Sequence, residues 1–282
     1  MNPALIALTP SDLVVASLFV LVAAGLSVAL RLGLERRILV AAVRTVVQLG
    51  LLGLVLERVF AVRRPIVVVA MIAWMIVFAG REAVARSTRR YGGIWLDAWL
   101  TMTVSCLLVG GVVTRVVVGV TPWWEPQYVI PLLGMILGNS LNGISLALER
   151  LLEHLDTRRA EVELLLAFGA TRAEALREPL RTALRTGLIP ITNAMTAAGI
   201  VALPGMMTGQ ILAGTPPMQA VAYQVVVMFM LAAANAIGAV VISLGATRRL
   251  VTREGTLRLE RLFRAGGARG RGKGRAVRRS AG

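Results

Sequence analysis

Tyr128-Val-Ile-Pro-Leu-Leu-Gly-Met-Ile-Leu-Gly-Asn-Ser-Leu-Asn-Gly-Ile-Ser-Leu-Ala-Leu148 runs 21 residues without a charge. Coiled as a helix at ~1.5 Å per residue, it reaches ~30 Å, the thickness of the hydrocarbon core of a bilayer. Six further stretches read the same way: Leu13–Leu30, Ile38–Leu56, Pro65–Ala79, Leu96–Val113, Leu188–Leu203 and Met218–Leu244. With 56% hydrophobic residues and a mean hydropathy of +0.73 over 282 residues, the chain is too apolar for a soluble domain. The expected fold is all-α, a polytopic membrane protein with about seven transmembrane helices. The N-terminus lacks the basic segment of a signal peptide, so the first span is expected to be retained.

Lysine and arginine set the orientation. With the N-terminus outside, 26 basic residues fall on the cytoplasmic side, and Arg58, Arg63, Arg64 and Arg115 alone fall outside, with Arg44 inside a span. That bias predicts a cytoplasmic C-terminus, and it accounts for the formal charge of +16 without a nucleic-acid partner. Residues 1–247 form the expected membrane domain, and residues 248–282 a basic cytoplasmic tail. The first part of the tail, with Leu250, Leu257, Leu259, Leu262 and Phe263 among arginines, is expected to continue the last helix along anionic headgroups. There each basic residue gains on the order of 1 kcal/mol. The rest, from Gly266, is Gly/Arg-rich and expected to be disordered. Its Gly267-x-x-x-x-Gly272-Lys273 imitates a phosphate-binding loop, but Gly274 stands where that motif needs Ser or Thr.

The 39 residues from Glu149 to Gly187 are charged and amphipathic. Within them, Glu163-Leu-Leu-Leu-Ala-Phe-Gly169-Ala170-Thr171-Arg-Ala-Glu174 has the signs of a turn between two helices. Gly169 suits the left-handed position past a helix end, and Thr171 with Glu174 makes a Ser/Thr-x-x-Glu capping box. Asp156 and Thr157 suit the start of the first helix. The second, rich in arginine, is expected along the membrane surface, bent by Pro179. Together they form a helix-turn-helix with the character of a docking element.

Enzyme signatures are absent. Cys106 is the single cysteine and His154 the single histidine, which excludes an internal disulfide and a Cys-based metal cluster. The spans instead carry amides. Asn139, Asn142, Ser145 and Glu149 recur at helical spacing, and Asn193, Gln224, Asn235 and the Arg44/Gln48 pair lie in other spans. Such groups face water or protein, because lipid cannot satisfy them. They read either as a lined pathway or as interhelical glue. Leu203-Pro204-Gly205-Met206-Met207-Thr208-Gly209-Gln210-Ile-Leu-Ala-Gly214 breaks a helix at membrane depth, as a discontinuous helix or re-entrant hairpin on the outer side. Its adjacent Met206 and Met207 should point in different directions, as packing residues.

Gly134-Met-x-Leu-Gly138-Asn139-Ser-x-Asn142, Leu166-Ala-Phe-Gly169-Ala170-Thr171, Pro190-x-x-Asn193 and the Leu203–Gly214 run resemble the FetB family of ABC transporter permeases. That family includes bacterial iron exporters and plant aluminium-tolerance half-transporters. The resemblance implies a homodimeric permease of the cell membrane, without catalytic residues or a cofactor of its own, partnered by a cytoplasmic ATPase that holds ATP and Mg²⁺ and exporting iron or a related metal. It gives the Gly169 turn an ATPase-coupling role through Glu163, Gly169, Ala170, Thr171 and Glu174. The Glu163-to-Gly169 spacing matches the Glu-Ala-Ala-x-x-x-Gly of ABC importers, without its alanines. Other solutes, such as a nucleotide-sugar, and other classes, a secondary transporter or a scaffold, are the alternatives. The shortage of carboxylates within the spans weighs against a proton-coupled carrier.

Overall fold

The computed structural model describes residues 9–252, 256–257 and 262–264. The described part is helical: α1 (Pro10–Ala29), α2 (Glu35–Val62), α3 (Pro65–Ala85), α4 (Ile94–Val112), α5 (Pro126–Thr157), α6 (Arg159–Ala167), α7 (Arg172–Ala175), α8 (Arg177–Ala197), α9 (Gly205–Leu212) and α10 (Pro217–Leu250). A two-residue ribbon pairs β1 (Arg89–Arg90) antiparallel with β2 (Phe263–Arg264). Proline opens α3, α5 and α10 at the first helical position, where a missing N–H costs nothing.

Six of these helices, α1, α2, α3, α4, α5 and α10, are long and apolar enough to cross a membrane, and the protein is a multi-pass membrane protein. The expected span Leu188–Leu203 is the one that differs. Its apolar residues belong to α8, which starts at Arg177 and carries Arg177, Glu178, Arg181 and Arg185 in its first half. Those charges keep α8 out of the apolar set, although its 21 residues extend ~31 Å. The surface helix expected for Arg172–Arg185 and the span expected after it are therefore one helix. Its start is marked at Leu176, and Pro179 sits in the first turn, where it does not bend the helix; its ring excludes the carbonyl four residues back, at Ala175, where α7 stops.

α5 is central, packed by α3, α4, α8 and α10, with α10 also against α4 and α8. Ile136, Ile144, Leu148, Leu151, Leu152 and Leu155 of α5 meet Met102 and Cys106 of α4 and Ile242 of α10 in one core. α3, α4, α5, α8 and α10 alternate in direction. At one end, Arg86 after α3 donates to Asn142 Oδ1 of α5, and Arg249 of α10 meets Asp97 of α4. At that same end Glu178 and Thr182 of α8 face Arg150, Glu153 and Arg158 of α5 and its exit. At the other end Gln127 of α5, Gln210 of α9 and Thr215 share one cavity with Val118. α8 thus runs the length of the bundle as a seventh traverse.

The tail does not prolong α10 along headgroups. α10 stops at Leu250, Val251 and Leu257 form an antiparallel bridge, and Leu250, Val251 and Leu257 are buried. β2 then pairs with β1 in the α3–α4 connection, and of the described residues expected against lipid only Phe263 is exposed. Leu259 and the Gly266–Gly282 segment lie outside the described residues.

The basic end is tied by a buried cluster. Arg249 Nε donates to Asp97 Oδ1 and Oδ2 at 2.9 and 2.8 Å, and Tyr91 Oη donates to Asp97 Oδ2 at 2.8 Å. Burial pushes the Tyr91 phenol well above its ordinary value, so it remains a donor at physiological pH. Gly93, at φ +93°, leaves room for the Arg249 guanidinium. Arg249→Ala would leave the Asp97 carboxylate, 9% exposed, facing Tyr91 alone. Breaking a buried pair costs ~3–5 kcal/mol; the 36% exposure of Arg249 lowers the expected loss to about 2 kcal/mol. Denaturation in mixed micelles measures it, and Arg249→Lys should recover part of the loss.

Candidate functional site

Two places combine exposure with chemistry: the turn at the basic end, and the polar face with its two cavities higher in the bundle. The turn is built as its local chemistry dictates. α6 ends at Ala167, Gly169 takes φ +88°, and Gly169 N–H and Ala170 N–H donate to the Leu166 and Leu165 carbonyls at 3.0 Å each. Thr171 caps α7: its hydroxyl accepts from Glu174 N–H at 3.3 Å, and Glu174 Oε2 accepts from Thr171 N–H and Oγ1–H at 2.7 Å each. Those two donors hold the Glu174 carboxyl below its usual range. Glu163 lies outside this turn, on the partly exposed surface of α6, paired with Arg159 at 2.7 Å. The start of α6 also differs from expectation. α5 continues through Asp156 and Thr157, and Arg158 precedes α6 without a side-chain cap; Asp156 is drawn instead to Arg89 at 2.9 Å.

Between these caps the turn presents apolar surface. Phe168 is 83% exposed and Leu164 57%, beside half-exposed Leu165. A phenylalanine held outward on a doubly capped turn has no partner among the described residues.

The stripe on α5 divides. Asn139 and Asn142 are exposed, Asn139 Nδ2 donating to the Met135 carbonyl at 2.9 Å and Asn142 accepting from Arg86. Ser145 and Glu149 are ties: Ser145 Oγ bonds the Leu141 and Ala83 carbonyls, and Glu149 accepts from Ser87, Thr88 and Arg89. Asn193 lies exposed on α8 beside Thr192 and Thr196, on the helix that packs against α5. Asn235 does not join this face. It is 2% exposed, its Nδ2 donates to the Leu231 carbonyl at 2.9 Å, and its Oδ1 fills the space beside Gly143. Arg44 and Gln48 are exposed on α2, whose main neighbour is α1, and they do not meet the α5 stripe.

The Leu203–Gly214 run is a broken helix. α8 stops at Ala197, Gly199 takes φ +80°, Pro204 precedes the short α9 that begins at Gly205, and Gly214 at φ +90° releases the chain toward α10. Gly209 lies inside α9, with no atom near its missing side chain. α9 stands between two cavities. One, about 410 Å³, is lined by Gln127, Tyr128, Met206, Gln210, Gln219 and Tyr223; the other, about 280 Å³, receives Met207 and Gln224. Met206 and Met207 thus diverge as their helical offset requires. The side-chain oxygens of Gln210 and Gln224 are buried without a hydrogen-bond partner among the described residues.

Sequence reading missed the Asp97–Arg249 pair and the close approach of α5 and α8 at Gly143 and Gly187. A lone aspartate in the apolar run of α4 was the available signal for the first. Among the described residues no cluster of His, Cys, Asp or Glu could hold a metal ion.

A family model described as "Uncharacterised protein family (UPF0014)" matches residues 10–251. The chain is 37% identical to the UPF0014 membrane protein slr1647 of Synechocystis, over 75% of this chain and 82% of that one. It is 31% identical to the "Probable iron export permease protein FetB" of Escherichia coli, over 79% and 85%, and 30% identical to the protein ALUMINUM SENSITIVE 3 of Arabidopsis thaliana, over 78% and 80%. No solved structure matches the chain. The chain belongs to the UPF0014 family.

Proposed function

We propose that this UPF0014 member is the membrane-spanning permease of an ABC transporter, exporting iron or a related metal and energised by a separate ATPase subunit. The observation that carries the reading is the exposed Leu164–Phe168 tip on its doubly capped turn. Capping removes the entropy of ordering before a partner arrives, and an aromatic anchor beside arginines is the kind of residue that dominates an interface. With the basic end in the cytoplasm, the tip meets a soluble ATPase, which holds ATP and Mg²⁺. The name of the Escherichia coli relative, a probable iron export permease, suggests metal and direction.

The exposed amides supply the path. Asn139 and Asn193 are exposed on α5 and α8, where lipid would leave a polar group unsatisfied, and exposed Asn142, nearer the basic end, accepts from Arg86. A second copy of the chain, its α5 and α8 faces opposed to these, would enclose them as a polar passage. Closing of the ATPases would press on the turn, and α8, joined to it through α7, would transmit the push toward α9. Gln210 and Gln224 stand at the end of that path.

Co-reconstitution with the ATPase tests the docking claim. Phe168→Ala should lower ATP hydrolysis by the complex while the permease stays folded; hydrolysis equal to wild type would remove the tip from the interface. Asn139→Leu and Asn142→Leu test the path. Each should shift stability by no more than ~0.6 kcal/mol, the mean for interhelical hydrogen bonds in membranes. Export should fall roughly tenfold, the equivalent of about 1.4 kcal/mol in a barrier. Unchanged export with lowered melting temperature would assign both amides to packing, and a flux of some solute other than metal would redirect the substrate.

A further inference from the structure

The cavity of about 280 Å³ between the end of α8, α9 and α10 brings together Met195, Met207 and Met228, one from each helix, around Gln224 and Phe229. Among the described residues no carboxylate and no cationic side chain lines it. Gln224 is 7% exposed, and its Oε1 has no hydrogen-bond partner among the described residues. Buried polar atoms are ordinarily paired, and an exception asks for an ion or ligand. Thioethers alone would read as packing. Three on the wall of one cavity, from separate helices and beside a glutamine whose amide oxygen is unpaired, have the composition of a coordination sphere.

We propose that this cavity is a binding site for a soft monovalent cation of the Cu(I) type, held by the sulfurs of Met195, Met207 and Met228 with the Gln224 amide oxygen beside them. Thioethers are soft, neutral donors and select Cu(I) over hard ions. Fe²⁺ or Mg²⁺ would need anionic oxygen ligands to offset dehydration, and the cavity has none. A single positive charge among neutral donors is also the least costly charge to bring into so apolar a place. The unbranched methionine side chain, with three rotatable bonds, lets each sulfur reach inward. Because α9 belongs to the broken helix, the site sits where the backbone leaves regular pairing, between Gly199 and Pro204. Met206, facing the other cavity, takes no part.

The site does not depend on the permease reading, since binding is measured on the purified chain. Full-length protein in detergent, carrying Cys106→Ala to remove the competing thiol, is titrated with Ag(I), an air-stable stand-in for Cu(I), and followed by the ¹³C-methyl resonances of its methionines. The expected result is saturable binding of one Ag(I) per chain, with shifts confined to Met195, Met207 and Met228, and no such shifts with Fe²⁺. Met195→Leu, Met207→Leu and Met228→Leu conserve volume and should leave thermal melting unchanged. Each should weaken binding at least about tenfold, and Met206→Leu should not. Absence of saturable binding, equal affinity in the triple Met→Leu variant, or equal weakening by Met206→Leu would overturn the proposal.

Discussion

Gly187→Leu is expected to prevent α5 and α8 from packing, with a loss above the ~1–3 kcal/mol usual for overpacked cores. A Cβ on Gly187 would stand 2.8 Å from the Gly143 carbonyl oxygen and 2.8 Å from Ala147 Cβ, and a Cβ on Gly143 would stand 2.8 Å from the Gly187 carbonyl oxygen while also meeting Asn235 Oδ1. Two of these obstacles are backbone atoms, which a rotamer change cannot move. The helices must separate, and α5·α8 is the most extensive contact of the bundle. Such small-residue crossings are how membrane helices gain dispersion contacts when lipid offers no hydrophobic drive. Gly138→Ala is the control, since no atom lies within 4 Å of its missing Cβ; it should stay within ~0.5 kcal/mol of wild type. Detergent melting and the folded fraction after membrane extraction report both. A Gly187→Leu protein that melts like wild type would show that α5 and α8 do not cross here.

Gly169→Val is expected to fold and insert, and to lose ATPase coupling at least roughly tenfold. No atom lies within 4 Å of the missing Cβ, so space does not forbid a side chain. The backbone does. At φ +88° an L-residue carries ~1–2 kcal/mol of strain, and a β-branched one more. The turn would relax by rotating Phe168 and unseating the Thr171–Glu174 box, while the spans remain unchanged. Gly169→Asn, which tolerates the left-handed region, should retain most of the coupling. The ATP hydrolysis rate of the reconstituted complex distinguishes the two variants; equal rates would separate the turn from coupling.

What could be read before the structure was what is local in the chain. Gly169 with Thr171 and Glu174 declares a turn because the chemistry of a cap is contained within a few residues. The apolar runs declare spans because hydropathy needs no partner. α8 was misread for the same reason: arginines at Arg177, Arg181 and Arg185 look like a surface helix until the antiparallel packing against α5 shows them as the basic end of a traverse. Non-local pairing was illegible. Arg249 and Asp97 are 152 residues apart, and the β2 strand meets its partner in the α3–α4 connection, far away in sequence. Asn235 looked like a pathway amide, since sequence cannot tell which face of a buried helix meets Gly143.

Intracellular iron in a strain lacking this gene, measured by elemental analysis after iron loading and compared with the strain complemented by wild type or by Gly169→Val, tests the account most directly. The expected result is high iron in the deletion strain, low iron with the wild-type gene, and high iron again with Gly169→Val at equal membrane abundance. Equal iron in all three strains would contradict metal export, and low iron with Gly169→Val would contradict an ATPase acting through the turn.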